Sequence, residues 1–212
     1  MKTFRMIGLA LMATFTGASF SACTSETEEV LGQDTEIRLI SEITPPSRGT
    51  DLTQQATQIV AGQQVGVTIT GAKAGHDNIA WTAGADGTLT NTGEALFYGS
   101  GPATITAYHP YKSAWTGVTS NVPADVETDQ SGEGYLRSDL LWATATASKT
   151  KNAVALTFTH KLAKINVTLT KPADNDINLS GANIYINGVI LVTYFNPSTG
   201  EITPHTQTPI NT

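Results

Sequence analysis

The chain has 212 residues, 40% of them apolar and 14% charged, with a formal net charge of −6. That is enough for one ordinary domain with a tail, or two very small ones, and too little charge for a disordered polyelectrolyte. The acidic balance excludes a generic nucleic-acid binder, and a chain rich in Thr but poor in Leu, Glu, Lys and Arg favours pleated, half-buried surface over surface helices.

The chain opens with Lys2 and Arg5, followed by an apolar stretch from Met6 to Phe20. The stretch is too short for a spanning helix with its own flanks and suits the apolar region of a signal peptide. It ends at Phe20-Ser21-Ala22-Cys23, small residues directly before the single cysteine, which has no internal disulfide partner. This junction resembles a bacterial lipobox, with Phe20 where Leu is usual, and the resemblance implies lipidation of Cys23. The other reading is a secreted protein cut after Ala22 with a free thiol. Several acyl chains, at roughly 0.8 kcal/mol per buried methylene, make a firm membrane anchor. The acidic run Thr24 to Glu29 reads as a solvated tether. Loss of Lys2 and Arg5 with the leader takes the formal charge to about −8.

Ile37 to Ile43 is the first predicted strand, with Ile37, Leu39, Ser41 and Ile43 on one face. Pro45-Pro46-Ser47-Arg48-Gly49 breaks it and leaves Arg48 as an exposed site for a trypsin-like or arginine-specific protease. Val65 to Thr70 alternates with period two. Ile79 to Thr82 and Leu96 to Tyr98 are shorter strands, with a tight turn at Asp86-Gly87. Ala103 to Tyr108 alternates again, Lys112 to Gly134 reads as a long loop, and Leu136 to Ala145 resumes an extended pattern. The clearest expected pair is Ala153 to His160 with Ala163 to Thr170. Ile184 to Ile186 and Val189 to Phe195 are expected to meet at an Asn187-Gly188 hairpin turn. Asp174 to Asn178 begins like a calcium loop, but Leu179 and Tyr185 stand where Gly and Glu belong, so it reads as a hairpin turn. The tail from Pro204 has little to bury. Strands at this spacing, with no helix longer than a turn or two, indicate a β-sandwich.

No zinc-protease motif, nucleophile elbow or phosphate loop occurs, and His76, His109, His160 and His205 show no ligand spacing. The expectation is a protein without catalytic residues, metal or cofactor. Trp81, Trp115 and Trp142 offer a rival reading as a sugar-stacking platform of a monomeric glycan-binding surface lipoprotein, provided they converge on one exposed flat face.

Three segments together resemble the fimbrillins of the Bacteroidetes. Ile105-Thr-Ala107-Tyr108-His109-Pro110-Tyr111 looks like their A-Y-x-P-Y box, Ser138-Asp139-Leu140-Leu141-Trp142-Ala143 like S-D-L-L-[YW]-A, and Phe158-Thr-His160-Lys161-Leu162-Ala163-Lys164-Ile165 like F-x-H-x-L-A-K-[IV]. These boxes read as fold determinants. Pro110 ends a strand, Tyr108 and Tyr111 pack at its edge, Asp139 accepts backbone or hydroxyl hydrogen bonds at a strand start, and Phe158 and His160 fix the inner sheet.

The resemblance implies an all-β, transthyretin-like β-sandwich (Greek-key, about seven or more strands) that serves as a structural and adhesive subunit of a type V-like pilus. It implies export as an outer-membrane lipoprotein, cleavage at Arg48, and assembly with neighbouring fimbrial subunits by donor-strand exchange, with Ile37, Leu39 and Ile43 on the strand that leaves. The expected organisation is a signal peptide at 1–22, a lipidated tether and first strand at 23–50, a sandwich at 51–205 and a tail at 206–212. A second sandwich domain, common in the family, is expected to be absent, either because this is a single-domain relative or because the chain is cut short.

Overall fold

The structure is a computed structural model and describes residues 34–44, 57–131, 133–150, 152–173, 176–182, 184, 186 and 188–205. Cys23 and Arg48 lie outside the described residues. Ten strands are described: β1 (Leu39–Ile43), β2 (Gln64–Thr70), β3 (His76–Ala83), β4 (Thr88–Asn91), β5 (Ala103–His109), β6 (Val122–Asp125), β7 (Leu141–Ala147), β8 (Val154–His160), β9 (Val192–Phe195) and β10 (Ile202–Pro204). One short helix, α1 (Glu133–Ser138), and a 3-10 turn at Ser113–Trp115 are the other elements among the described residues.

The fold is all-β. Seven strands close into a ring in the order β1-β4-β3-β2-β5-β7-β8, and β8 returns to β1. Neighbours run antiparallel except β1 and β8, which are parallel. The expected sandwich is thus closed at its edges, and no strand of the ring has a free edge. Period-two alternation turns Leu39, Val65, Val67, Ile69, Ile105, Leu156 and Phe158 inward, where all are buried. A second sheet, β10-β9-β6, covers a smaller core of Tyr108, Trp115, Val122, Leu140 and Phe195.

The Asp86-Gly87 turn forms as expected between β3 and β4. Gly87 takes φ +81°, and the Asp86 carboxylate accepts from the Thr88 N–H at 3.0 Å.

Several expectations are corrected. Leu96 to Tyr98 is no strand; Phe97 and Tyr98 make isolated bridges to Glu36 and Ala72. The strand beside β3 is instead β4, whose Thr88-Leu-Thr-Asn is too short and polar to announce itself. The loop expected over Lys112 to Gly134 contains β6 and the start of α1, and Leu136 is helical, not extended. Pro204 belongs to the edge strand β10, where its missing N–H costs nothing to the ladder.

The expected pairing of Ala163 to Thr170 with β8 is overturned. Residues 163–170 form no strand, and Ile165, Val167 and Leu169 are 58%, 48% and 48% exposed. The reason is edge occupancy: β8 is already hydrogen-bonded to β1 on one side and β7 on the other. Ile184 and Ile186 are likewise exposed and outside any strand, although Gly188 does take φ +77°. Of the turn expected at Asp174 to Asn178, Asp174 and Asn175 lie outside the described residues; the Asn178 side chain accepts from the Ser180 N–H at 2.9 Å, and no described residue from 176 to 182 is in a strand.

Candidate functional site

β1 lies between strands that are distant in sequence. It pairs with β4 at Leu39–Leu89 and Ile40–Thr88, and with β8 from Leu39–Val154 to Ile43–Phe158. The predicted strand Ile37 to Ile43 is shortened to β1, with Ile37 just before it; Ile37 and the inward Leu39, Ser41 and Ile43 are all buried, whereas Glu42 faces solvent. The pairing continues beyond the strand. The Ile37 N–H donates to the Leu96 carbonyl at 2.7 Å, the Tyr98 N–H to Thr35 at 3.0 Å, and the Thr44 N–H to Phe158 at 2.9 Å. Lys73 pairs with Asp34 and Arg38 with Glu36 on the exposed side.

The chain beyond residues 45–56 returns to the same place. The Ile43 N–H donates to the Thr57 carbonyl at 2.7 Å, and the Ile59 N–H donates to Ser41 Oγ at 3.4 Å. Ser41 is the single polar residue among the four inward positions. Its N–H and its hydroxyl both donate to the Gly87 carbonyl, at 2.8 and 3.0 Å. The result is a groove, walled by β4 and β8 and floored by Leu89, Leu156 and Phe158, with β1 seated in it.

The other singled-out residues hold the far end of the ring. Tyr108 is buried, and its ring lies across Gly66 on the neighbouring β2. The phenol donates to Asn78 Oδ1 at 2.6 Å, and burial pushes its pKa far above the ordinary tyrosine range. β5 ends at His109, and the His109-Pro110 bond is cis. Tyr111 is half-buried and donates its N–H to the Gln64 carbonyl at 3.0 Å.

The Asp139 carboxylate places Oδ1 2.7 Å from His160 Nδ1. Its backbone carbonyl lies 2.9 Å from His109 Nδ1. This triad ties together the end of β5, the approach to β7 and the end of β8. His109 is fully buried, its Nε2 has no partner, and burial holds its pKa below the usual histidine value. With His109 and Asp139 buried and His160 half-buried, the arrangement braces strand ends. Among the described residues no group of three His, Cys, Asp or Glu side chains is arranged to hold a metal, and no helix is long and apolar enough to cross a membrane.

The tryptophans do not converge. Trp81 is buried in the main core, and Trp115 in the smaller one. Trp142 is half-buried, donating to the Pro197 carbonyl at 2.9 Å beneath the Lys161 ammonium. A hollow of about 200 Å³ beside Trp115 is rimmed by Lys112, Asp125 and Arg137 and offers no flat aromatic face. The sugar-platform reading fails its own condition.

The sequence alone did not single out Gly66 or Asn78, nor the buried roles of His109 and Ser41. A glycine inside Val65-Gly66-Val67 and a serine at an inward position were the available signals.

A family model described as fimbrillin-like matches residues 50–212. No curated protein matches the chain. Among solved structures, a candidate cell adhesion protein from Bacteroides uniformis is similar at 22% identity and a TM-score of 0.63, over 83% of this chain and 68% of that one. Another candidate cell adhesion protein, from Bacteroides ovatus, is similar at 21% identity and a TM-score of 0.55, over 85% and 71%. At these identities the likeness is one of fold.

Proposed function

The chain belongs to the fimbrillin-like family, and from that premise we propose that it is an adhesive fimbrial subunit whose first strand is a removable placeholder. As a family member it is a structural surface protein, not an enzyme. In the fuller reading it is exported as a lipoprotein anchored to the outer membrane through Cys23. A trypsin-like or arginine-specific protease cuts at Arg48, and a strand from a neighbouring subunit then replaces β1.

The observation that carries this reading is topological. Removing β1 leaves β4-β3-β2-β5-β7-β8 as an unbroken run of paired strands. Because β1 precedes all the others, one cut between Ile43 and Thr57 separates it from the rest of the ring. The vacated groove would present unpaired backbone groups on both sides, the condition for β-augmentation.

Energetics decide how exchange would proceed. Ile37, Leu39 and Ile43 are each at most 5% exposed, and burying three such side chains is worth about 5–9 kcal/mol. Cleavage alone therefore leaves β1 seated. It departs only as a strand of equal apolar content arrives, so exchange is close to balanced in free energy and governed by its barrier.

The test is Arg48→Ala in the full chain, which removes the basic side chain either kind of protease requires, expressed in a host that assembles such fimbriae. The expected result is lipidated monomer held on the membrane, against a ladder of SDS-resistant oligomers for the unaltered chain in unboiled samples. An undiminished ladder from Arg48→Ala would refute processing at this residue.

A further inference from the structure

Ser41 is an anomaly in β1. A strand meant only to fill an apolar groove would carry four aliphatic side chains, yet the third inward position is a buried hydroxyl among Ile37, Leu39 and Ile43. The structure accounts for it through two groups that do not belong to β1. The hydroxyl donates to the Gly87 carbonyl, which sits on the tight turn at φ +81°, and it accepts from the N–H of Ile59, itself fully buried.

These two demands differ in how easily another strand meets them. Any incoming strand supplies a backbone N–H to the Gly87 carbonyl, as Ser41 does at 2.8 Å. No backbone group of the strand accepts from Ile59; its acceptor here is the side-chain oxygen. A strand with an aliphatic residue at this position would bury the Ile59 N–H with no partner, and a buried unpaired donor is costly.

Resting on the reading of β1 as displaceable, we infer that the groove selects its incoming strand by a hydroxyl at the third of four inward positions. The partner is a strand from a neighbouring subunit with the inward pattern aliphatic, aliphatic, Ser or Thr, aliphatic. The rule also excludes a competitor that every subunit carries. Ile165, Val167 and Leu169 form an exposed alternating segment of the same chain. Laid in the groove from Ile165, that segment puts Leu169 at the serine position and Lys171 at the last aliphatic one. From Ala163 it puts Val167 at the serine position. Neither offers an oxygen to Ile59, so the groove discriminates against the exposed segment of its own chain.

The experiment uses the full chain cut at Arg48 and synthetic peptides of residues 36–44 carrying Ser, Thr or Val at position 41. Thr and Val have nearly the same shape and differ by the hydroxyl. Displacement of the resident strand by a labelled peptide is read by anisotropy. The expected result is that the Thr peptide binds about ten- to a hundred-fold more tightly than the Val peptide, with Ser close to Thr and a peptide of residues 163–171 inactive. Equal binding of Thr and Val, or competition by 163–171, overturns the hydroxyl rule while leaving strand exchange standing. Failure of every peptide to displace β1 from chain that is fully cut, or failure of Arg48 to be cut, overturns the exchange reading and the rule with it. Denaturant midpoints of intact Ser41→Thr and Ser41→Val chains give a second measure: equal midpoints would show that the hydroxyl does not matter even within β1.

Discussion

Leu39→Ala tests whether β1 belongs to the core. Leu39 is fully buried, registered against Leu89 on one side and Val154 on the other. Truncation removes three carbons from a position enclosed by strands on both flanks, where the ring cannot collapse without unpairing a ladder. The loss should therefore lie in the usual range for a buried leucine, about 2–5 kcal/mol. For a domain of this size that lowers Tm by about 4–20 °C, and it is a large fraction of the roughly 5–15 kcal/mol that holds an ordinary domain folded. Urea titration followed by tryptophan fluorescence would read it as a lower midpoint with an unchanged slope. Glu42→Ala, on the solvent face of the same strand, should stay within about 0.5 kcal/mol of the unaltered chain. Equal effects of the two substitutions would refute the seating of β1. If β1 is a placeholder, Leu39→Ala should also leave the stability of assembled fibres unchanged, because the altered strand is no longer present; a permanent strand would carry its defect into the fibre.

Gly66→Ala should destabilise by about 1–3 kcal/mol, since its Cβ would stand 2.5 Å from both the Tyr108 ring and Asn78 Oδ1; a neutral result in the same titration would show that the ring moves aside freely. Burial of His109 lowers its pKa below the ordinary 6.5, with the nearby Asp139 opposing that shift and His160 and Lys112 adding to it. The unfolded chain therefore takes up this proton first, and stability falls as pH drops below about 6.5 until the folded-state pKa is passed. Urea midpoints between about pH 5 and 8 should show a shallower fall for His109→Gln, and an identical slope would remove His109 as the cause. Cys23→Ala should leave the domain folded and move it from the membrane to the soluble fraction, with unchanged membrane partition counting against lipidation.

The parts legible in the sequence are those governed by local stereochemistry. Alternation along Ile37 to Ile43 or Ala103 to Tyr108 identifies the inward face because successive side chains of any extended chain point opposite ways. Asp86-Gly87 announces its turn because glycine reaches positive φ without strain. The three family boxes were readable as strand ends and starts, although not that Asp139 lies between His109 and His160.

What the tertiary structure alone decided is who sits beside whom. Ala163 to Thr170 has as good an alternation as β8, yet it stays unpaired because β1 occupies the edge it would need. Ser41 looks like a concession to polarity until Gly87 and Ile59 are seen to meet at its hydroxyl, and Gly66 looks like a flaw in a strand until Tyr108 lies across it. A strand edge carries one row of hydrogen-bonding groups, and which segment claims it depends on every other strand in the ring. Residue-by-residue pattern therefore specified the faces of this protein, and competition for edges specified its pairings.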